Sequence, residues 1–577
     1  MSWRARIAVY SAAAGGALAL PAAALAHAAL LRTTPSASVV TRAAPKQVTL
    51  TYSEAVEPRF ATVSVTDADA HQQTTAPPQR SPANPDTLVV PLRPLPEGWY
   101  LVYWRVVSED GHPVRGAFTF AVGPNPGPAP QFVIPSISES AATPPLLIAR
   151  WLTLLAATCA IGLVVLRLAV ARPALRAVTG ASLRSLAASF SVAIGLALVA
   201  TPVYVEMSTA TFAQRSALDL GGVVPLMRDS AFGRGMLDFE LVLAFLAVAG
   251  GVAIWLDDPR RERRSVAALL SLAGAGAATG GALLVPGLAG HAAVTSPRWL
   301  SLLLDWSHLA AASIWIGGLV GLLVLGWRAG EQRIATLAVC VPRFSRLAFV
   351  SVLALVGSGI GASFLHFPTL SSLWDTSYGK SLVLKLIFLA VTIVLASINS
   401  SRSVPRFRQV AAGLAERGPS TAALLRTLVG GEVVLVVGAL FGAALLTSLP
   451  PPPKALASLG SASATVGPGP ATTTVSKGGY KLVFDVSPNR AAVPNTFAVE
   501  ISKDGKPVRG ADVTATFTML DMEMQQLAYT LPETRPGVFR RANTPALVMV
   551  GRWGISFDIR PPGARPLQVL LVDHASG

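Results

Sequence analysis

The run "LLLDWSHLAAASIWIGGLVGLL", residues 302 to 323, decides the fold class because it is long and almost wholly apolar. A helix of this length extends about 33 Å, which is enough to cross the hydrocarbon core of a bilayer. Seven apolar runs of similar length surround it, so the sequence predicts eight transmembrane helices. They are placed near residues 146–168, 185–206, 236–256, 265–288, 299–326, 345–365, 380–399 and 423–449.

Composition and charge agree with a membrane protein. Of the 577 residues, 52% are hydrophobic and only 14% are charged, which is too apolar for a soluble globular chain. The net charge of +16 comes from arginines that cluster in the loops after the first, third, fifth and seventh spans. The positive-inside rule assigns those loops to the cytoplasm. The charge therefore indicates a lipid bilayer as partner and no nucleic acid.

The first 26 residues have the order of a secretory signal peptide: Arg4 and Arg6, an apolar run, then Ala24-Leu25-Ala26. An uncleaved anchor helix is the alternative. Cleavage would leave His27 as the first residue and place the N-terminal part outside. Eight spans return the C-terminus to the same side, so we expect a multi-pass protein of the cytoplasmic (inner) membrane with both ends in the periplasm.

Both ends of the chain are rich in β-formers, as in "GWYLVYWRVV" and "GAFTFAV". The predicted fold is an all-β cupredoxin or Ig-like sandwich, an eight-helix bundle and a second all-β sandwich. The predicted segments are a signal peptide at 1–26, a β-domain at 27–122, a Pro/Gly linker at 123–145, a membrane domain at 146–449, a linker at 450–474 and a β-domain at 475–577.

A free N-terminal His27 offers its α-amine and its imidazole to one metal ion. In "SEDGHPVRGAFTF", Asp110 and His112 lie two residues apart at the end of a strand, so their side chains point the same way. Such a nitrogen and oxygen set suits Cu(II). The stretch "DGKPVRGA" at 504–511 repeats "DGHPVRGA" at 110–117 with Lys506 in place of His112, so the turn does not require histidine. The residues alone leave a metal ligand and a solvated turn histidine both open.

Other candidate ligands lie in the outer half of the membrane and in the second β-domain. His308 lies inside the fifth span, and spacing permits a metal path there or histidines hydrated at the interface. The predicted membrane set is His291, His308, His366, Met207 and Met236, where the methionines are either thioether ligands or packing residues. In "FTMLDMEMQ", Met519, Met522 and Met524 form either a Cu(I) site or part of a sandwich core. The two cysteines, Cys159 in an apolar run and Cys340 in a basic loop, allow no disulfide framework.

Several motifs carry a family resemblance. Residues 27–122, with "TTPSA", "LTYSEAVEP" and "SEDGHPVRGAFTF", resemble the periplasmic copper-resistance protein C (CopC) domain. Residues 146–449, with "GHAA", "HLAAASIWIGGL", "RFSRLA", "TSYGKSLVLK" and Asn399, resemble the copper-resistance protein D (CopD) family. The last domain resembles the YtkA-like domain, whose corresponding motif also contains methionine.

This resemblance implies a Cu(II) site and a copper route. The Cu(II) ligands fall on His27, Asp110 and His112. The membrane roles fall on His291, His308, Trp315, Asp375, Tyr378 and Lys385.

The predicted function is capture of Cu(II) outside the membrane and its passage to or across the bilayer, in copper transport, homeostasis or resistance. The cargo is copper, as Cu(II) in the first domain and Cu(I) elsewhere after reduction by an external reductant. Periplasmic copper chaperones or cuproenzymes are candidate partners. No phosphate-loop motif is present, so direct use of ATP is not expected, and neither is enzyme activity. The alternatives are a histidine-brace copper oxidase, a haem-binding electron carrier that uses His291, His308 or His366, and a copper sensor or store.

Overall fold

The computed structural model describes residues 28, 30–37, 39–107, 113–127, 130, 132, 143–213, 216–257, 263–327, 331–413, 418–449, 452, 462–520 and 526–576. Along the chain, a β-sandwich precedes a helical bundle, and a second β-sandwich follows it. This is the predicted fold class.

The N-terminal sandwich has two four-stranded sheets, in the orders β1-β3-β6-β5 and β2-β8-β7-β4. Alternation of apolar and polar residues builds its core, as in β3, where Val48, Leu50 and Tyr52 are buried and their neighbours face outward. The strands are β1 Leu30–Thr34, β2 Val40–Thr41, β3 Gln47–Tyr52, β4 Thr62–Thr66, β5 Gln79–Arg80, β6 Thr87–Pro91, β7 Gly98–Val107 and β8 Pro113–Val122.

Within the described residues, eight helices are long and apolar enough to cross a membrane. They are α1 Pro144–Val165, α2 Arg184–Ala213, α3 Ala231–Trp255, α4 Val266–Leu288, α5 Arg298–Gly326, α6 Glu331–His366, α7 Ser377–Ala411 and α8 Gly418–Leu446. A π-helical turn, Leu166–Val170, extends α1, and short helices lie at Ala174–Ala177, Val223–Asp229, His291–Val294 and Ser372–Asp375.

The placement of Cys340 in a loop is wrong. Cys340 lies inside α6, which begins fourteen residues before the predicted span, and its side chain is fully buried. The helix continues past the apolar segment through Arg343 and accommodates Pro342. The hydropathy pattern marked only the part of this helix that is apolar enough for lipid.

Helices α1 and α5 form the centre of the bundle because glycine lets their backbones touch. A Cβ atom on Gly317 would lie 2.5 Å from the Cα of Gly162, and one on Gly318 would overlap the ring of Phe344. Small residues at such crossings allow helices to pack closely where lipid supplies no hydrophobic drive for association. The "GG" in the opening motif is therefore explained by packing.

The C-terminal sandwich packs the sheet β10-β11-β12-β17-β16, with β13 beside β12, against the sheet β15-β14-β18-β19-β9. The strands are β9 Ala464–Val466, β10 Ala471–Lys477, β11 Tyr480–Ser487, β12 Asn495–Lys503, β13 Lys506–Pro507, β14 Asp512–Met519, β15 Leu527–Thr530, β16 Glu533–Arg535, β17 Val538–Thr544, β18 Gly551–Arg560 and β19 Leu567–Ala575.

The predicted linker at 450–474 is too long at its C-terminal end. Strand β9 and the start of β10 lie inside it and pair with β19 and β11. These strands are made of small and polar residues at the edges of the sheets, so they lack the hydrophobic alternation that identifies a strand in a sequence. Backbone pairing with a neighbouring strand, rather than burial of their own side chains, places them.

Candidate functional site

The three predicted Cu(II) ligands, His27, Asp110 and His112, lie outside the described residues. The residues that flank them show where these segments begin and end. Ala28 is fully buried in the core of the N-terminal sandwich. Val107 and Pro113 are register partners at the end of the β7–β8 pair that residues 108–112 connect.

A chain of contacts connects these two positions. Leu30 in β1 is paired with Tyr52 in β3, and the Tyr52 ring meets Trp104 of β7 edge-on, with centroids 5.6 Å apart. The start of β1 and the connected end of the β7–β8 pair therefore lie at the same end of the sandwich.

This end of the sandwich is docked on the helical bundle. Arg105 of β7 is only 3% exposed and donates hydrogen bonds to the carbonyl oxygens of Phe212 at 2.7 Å and Thr211 at 2.9 Å, in the last turn of α2. Val107 and Phe60 pack in one apolar cluster with residues of α2 and α3. We call this end of the bundle the domain end and the opposite one the arginine end.

The arginine end is closed by an ionic cluster on Asp257, just after α3. Its carboxylate lies 3.0 Å from Arg167, 2.6 Å from Arg172 and 3.4 Å from Arg264. Burial alone would raise the pKa of Asp257, but the hydrogen bonds from Arg172 and Arg167 bring it below its ordinary value. This cluster ties together the ends of α1, α3 and α4, which is a structural role.

Met207 and Met236 lie at the domain end, beneath the docked sandwich. Both are partly buried in the apolar cluster that contains Val107, and a third methionine, Met227, packs there as well. Next to them, both carboxylate oxygens of Glu206 are buried and have no hydrogen-bond partner among the described residues. The two predicted methionines therefore pack against the same apolar cluster, and the Glu206 carboxylate adjoins Met207 in the sequence.

His308 lies at the meeting point of α5, α6 and α7. Its Nδ1 is 3.1 Å from the Ser358 hydroxyl and its Nε2 is 3.3 Å from the Lys385 ammonium. An ammonium group can only donate, so we assign Nε2 as the acceptor and the proton to Nδ1. Lys385 thus occupies the position at which a metal would bind Nε2.

The structure does not bring His308 and His366 into one ligand set. The Nδ1 of His366 donates to the Ala362 carbonyl at 2.8 Å, and its Nε2 lies 3.4 Å from the Thr295 hydroxyl. His366 follows Ser358 by eight residues on α6, which places it about 12 Å nearer the domain end. His291 begins the short helix after α4, and its side chain is not among those described.

The other predicted site residues either pack against neighbouring side chains or lie outside the description. Trp315 is buried beside α6, and Tyr378 packs on Phe367 with ring centroids 5.5 Å apart. The side chain of Asp375 lies outside the description. Met519 is buried in the core of the C-terminal sandwich, opposite Trp553. Met522 and Met524 lie outside the described residues, so a Cu(I) role for this group stays a prediction.

One further cluster of metal-ligand types lies in an exposed loop. The ligand atoms of Asp67, Asp69 and His71 lie within 4.8 Å of one another. The Asp67 carboxylate already accepts hydrogen bonds from the backbone N–H groups of Asp69 and His71. These contacts explain the loop as a local turn, with a largely exposed His71 side chain.

Sequence reasoning missed a buried carboxylate in α8. Glu432 is 1% exposed, and its Oε1 accepts a hydrogen bond from the Asn399 amide at 2.8 Å. The Asn399 carbonyl oxygen accepts in turn from Ser403 at 2.6 Å. A single acidic residue in the apolar run "VGGEVVLVV" was the signal that could have found it, because charges inside membrane helices are costly.

Taken together, these features define a multi-pass membrane protein with a β-sandwich at each end of the chain and polar groups inside its bundle. Three families match it in chain order: the CopC domain over residues 30–123, copper resistance protein D over residues 338–446 and the YtkA-like family over residues 475–558.

Curated relatives agree with the family matches. The copper transport protein CutJ of Bacillus subtilis (strain 168) is 27% identical over 550 residues, covering 93% of each chain. Protein YobA of Escherichia coli (strain K12) is 40% identical over 98 residues, which are 17% of this chain and 79% of the relative. Copper resistance protein C of Escherichia coli is 35% identical over 106 residues, covering 17% of this chain and 83% of the relative. The chain belongs to the CopC/CopD family of copper transport and resistance proteins, with a YtkA-like domain at its C-terminal end.

Proposed function

We propose that this protein captures Cu(II) with His27, Asp110 and His112 on the periplasmic side of the cytoplasmic membrane and passes copper into its helical bundle. Copper then moves from the docked sandwich past Met207 and Met236 towards His308. The protein is a transporter in this proposal, rather than an enzyme, a sensor or a store.

One observation carries the proposal: the end of the sandwich that flanks the predicted ligands is the end docked on the bundle. Val107, one residue before the 108–112 segment, packs in the same apolar cluster as Met207 and Met236. Arg105, on the same strand, is hydrogen-bonded to the last turn of α2. A tethered domain held in this way presents its ion to the membrane entrance at high local concentration.

The donor atoms along this route change from hard to soft. An amine, imidazoles and a carboxylate suit Cu(II), whereas thioethers suit Cu(I). We therefore propose that one electron from an external donor reduces Cu(II) to Cu(I) before the ion reaches Met207 and Met236. At His308 the ion would replace the Lys385 ammonium on Nε2, since that nitrogen accepts from Lys385 in the structure.

Copper uptake into vesicles tests the proposal. The full chain is reconstituted with its native His27 terminus or with one additional residue before His27, and entry of copper is followed with an encapsulated indicator. We expect the extension to slow uptake strongly and to alter the Cu(II) electron paramagnetic resonance spectrum, because it removes the α-amine from the chelate.

A double substitution, Met207→Leu with Met236→Leu, should slow uptake without changing that spectrum, because it preserves apolar volume and removes the thioethers. Glu331→Gln, at the exposed start of α6 and away from the route, is the control and should change neither readout. Equal uptake by all four proteins would contradict the proposed route, and absence of uptake by the native chain would contradict transport.

A further inference from the structure

We propose that Glu432 is a proton-binding residue that couples copper movement to a pH gradient. This inference rests on the proposed transport function. It concerns a second site, at the middle of α8 and nearer the arginine end than His308 is, that contains none of the predicted copper ligands.

Glu432 lines the wall of a cavity of about 580 Å³ between α5, α6, α7 and α8, which opens to the outside of the bundle past the exposed side chains of Phe349 and Leu353. The cavity is bounded on one side by apolar residues such as Trp315 and Phe344, and on the other by a polar strip on α7. That strip consists of Ser397, Asn399, Ser400, Ser401 and Ser403. Hydroxyl and amide groups facing a space of this size can hold several water molecules, which is what a proton path to a buried carboxylate requires.

The site lies towards the arginine end. Asn399 follows Lys385 by fourteen residues on α7, which is about 21 Å along the helix. The residues of α8 confirm the direction, because Gly442 packs on Lys385, Gly438 on Phe388 and Gly431 on Leu395. The His308 level and the Glu432 level are therefore two separate polar layers with an apolar section between them.

The chemistry of the donor set favours a proton over copper. Glu432, Asn399 and Ser403 offer a carboxylate, an amide and a hydroxyl, which are hard oxygen ligands, and no thioether or imidazole is among the described residues that line the cavity. The Asn399 amide can donate to the ionised carboxylate, while a protonated Glu432 keeps the same side-chain position with one charge fewer. Both states are thus accommodated without a change of fold.

No cation neutralises Glu432 by an ion pair among the described residues. Helices α1, α5, α6 and α7 pack against α8. Three arginines on these helices, Arg343, Arg346 and Arg402, adjoin the cavity-lining residues Phe344, Ser345 and Ser403, but none forms an ion pair with Glu432 among the described residues. The other ionisable groups lie at the His308 level, near the helix ends or, for the cysteines, in apolar packing. They are Arg150, Cys159, Arg298, Asp305, His308, Glu331, Arg333, Cys340, His366, Tyr378, Lys380, Lys385, Arg406 and Arg408. On α8 itself, Arg426 is directed to the Trp327 carbonyl oxygen.

The test uses the full chain in vesicles loaded with a copper indicator and, in parallel, a pH indicator. With one proton exchanged per copper ion, a gradient of one pH unit changes the steady-state copper ratio about tenfold. We expect the native chain and Glu331→Gln to show this change together with proton flux. Glu432→Gln should move copper down its own gradient, with no response to the pH gradient and no proton flux. Glu432→Asp should retain part of the response.

The outcomes separate the two proposals. If the native chain moves no copper, the transport function fails, and the coupling fails with it. If the native chain moves copper equally with and without a pH gradient, or if Glu432→Gln keeps the full response, the coupling is overturned while transport stands. Infrared difference spectra give a readout that needs no transport: the native chain should show a protonated-carboxyl band that titrates with pH and is missing in Glu432→Gln. A band that persists in that variant would assign the proton to another group.

Discussion

Two copies of nearly the same octapeptide, "DGHPVRGA" at 110–117 and "DGKPVRGA" at 504–511, have different surroundings in the two sandwiches. In the C-terminal copy, Asp504 and Gly505 have φ angles of 50° and 75° and form a tight turn between β12 and β13, where Lys503 is paired with Lys506. This turn is exposed. In the N-terminal copy, Pro113 starts the ten-residue strand β8, which continues without interruption to Val122.

The two glycines of these copies show how the surroundings differ. Gly116 lies within β8 under the indole of Trp104, and a Cβ there would come within 2.7 Å of the ring. Gly510 has a φ of +65°, and its N–H donates to Glu533 in a loop. One glycine is required by close packing and the other by backbone conformation. The comparison teaches that the octapeptide does not by itself determine its structure, and that strand pairing with β7 and the Trp104 indole distinguish the N-terminal copy.

Exchanging the residue that differs should have the largest effect. His112→Lys makes the two copies identical, and we expect Cu(II) affinity to fall by more than about 100-fold, since even outer-shell changes cost 10 to 100-fold. Lys506→His is the matched control and should create no comparable site, because no free N-terminus lies beside it. A competition titration with a chromophoric chelator measures both. Tight binding by Lys506→His in a His112→Lys background would show that the octapeptide alone suffices.

Loss of the contact between the N-terminal sandwich and the bundle should have the second largest effect. Arg105→Met removes two charge-assisted hydrogen bonds, each contributing about 1.5–3 kcal/mol, and leaves carbonyl oxygens at the end of α2 unpaired. We expect a broader distance distribution between spin labels on the N-terminal sandwich and on Val224, measured by pulsed electron paramagnetic resonance. Arg509→Met, at the exposed C-terminal copy, is the control and should leave the distribution unchanged. An unaltered distribution in Arg105→Met would show that the arginine is not needed, and that the apolar cluster and the Thr119 hydrogen bond to the Ala492 carbonyl of the C-terminal sandwich hold the N-terminal sandwich in place.

The glycines provide a smaller and more local test. Gly116→Ala should destabilise the N-terminal sandwich by about 1–3 kcal/mol, because the added methyl group overlaps a buried indole. Gly510→Ala should cost the C-terminal sandwich about 1–2 kcal/mol, because an L side chain is strained in the left-handed region. Denaturant unfolding followed by domain-resolved hydrogen exchange distinguishes the two. Equal effects on both domains from either variant would contradict a local origin.

Acid should act in opposite directions on Asp573 of the C-terminal sandwich and Asp67 of the N-terminal sandwich, with the smallest effect. Burial raises the pKa of Asp573 in the C-terminal sandwich, despite hydrogen bonds from Asn489 and the His574 backbone. Its contribution to stability is therefore present below about pH 4, the unfolded value, and is lost as the pH rises through the native pKa.

The opposite sign holds for Asp67 in the N-terminal sandwich. Slight burial acts to raise its pKa, but hydrogen bonds from the His71 and Asp69 backbone bring the pKa below the ordinary value. Its contribution is present above about pH 4 and is lost as the pH falls through the native pKa. Hydrogen exchange of the full chain, corrected for the intrinsic pH dependence, should show this divergence. Hydrogen bonds from the Gly510 and Gly537 backbone lower the pKa of Glu533, which therefore acts in the same direction as Asp67 within the C-terminal sandwich. Asp573→Asn should remove only the Asp573 contribution, and an unchanged acid response of the C-terminal sandwich in that variant would contradict the assignment.

Much of the architecture was predictable because it depends on local patterns. Long apolar runs predicted eight helices, and alternation predicted two sandwiches. Strand β9 and the start of β10 were missed because edge strands of small residues carry no periodic signal. Cys340 was misplaced because a helix can extend beyond its apolar segment.

The site was predictable only in part. The sequence identified His308 as a polar residue inside a span, and Glu432 could have been identified as the lone acidic residue in α8. Neither pattern shows which side chains these two residues contact. Ser358, Lys385 and Asn399 lie 50, 77 and 33 residues from the groups that they contact. Such pairings follow from the packing of helices across the bundle, which no local periodicity encodes.

The sequence by itself determined the class of protein, because burial in lipid and alternation in sheets are properties of short segments. It also predicted the donor chemistry, since His27, Asp110, His112 and the methionines were selected by residue type. Only the tertiary structure decided that the N-terminal sandwich docks through Arg105 and Val107. It also decided that Lys385 contacts Nε2 of His308, and that Glu432 faces a cavity far from His308. Those relations join residues that are distant along the chain, and their free energies come from packing and paired buried polar groups rather than from local propensity.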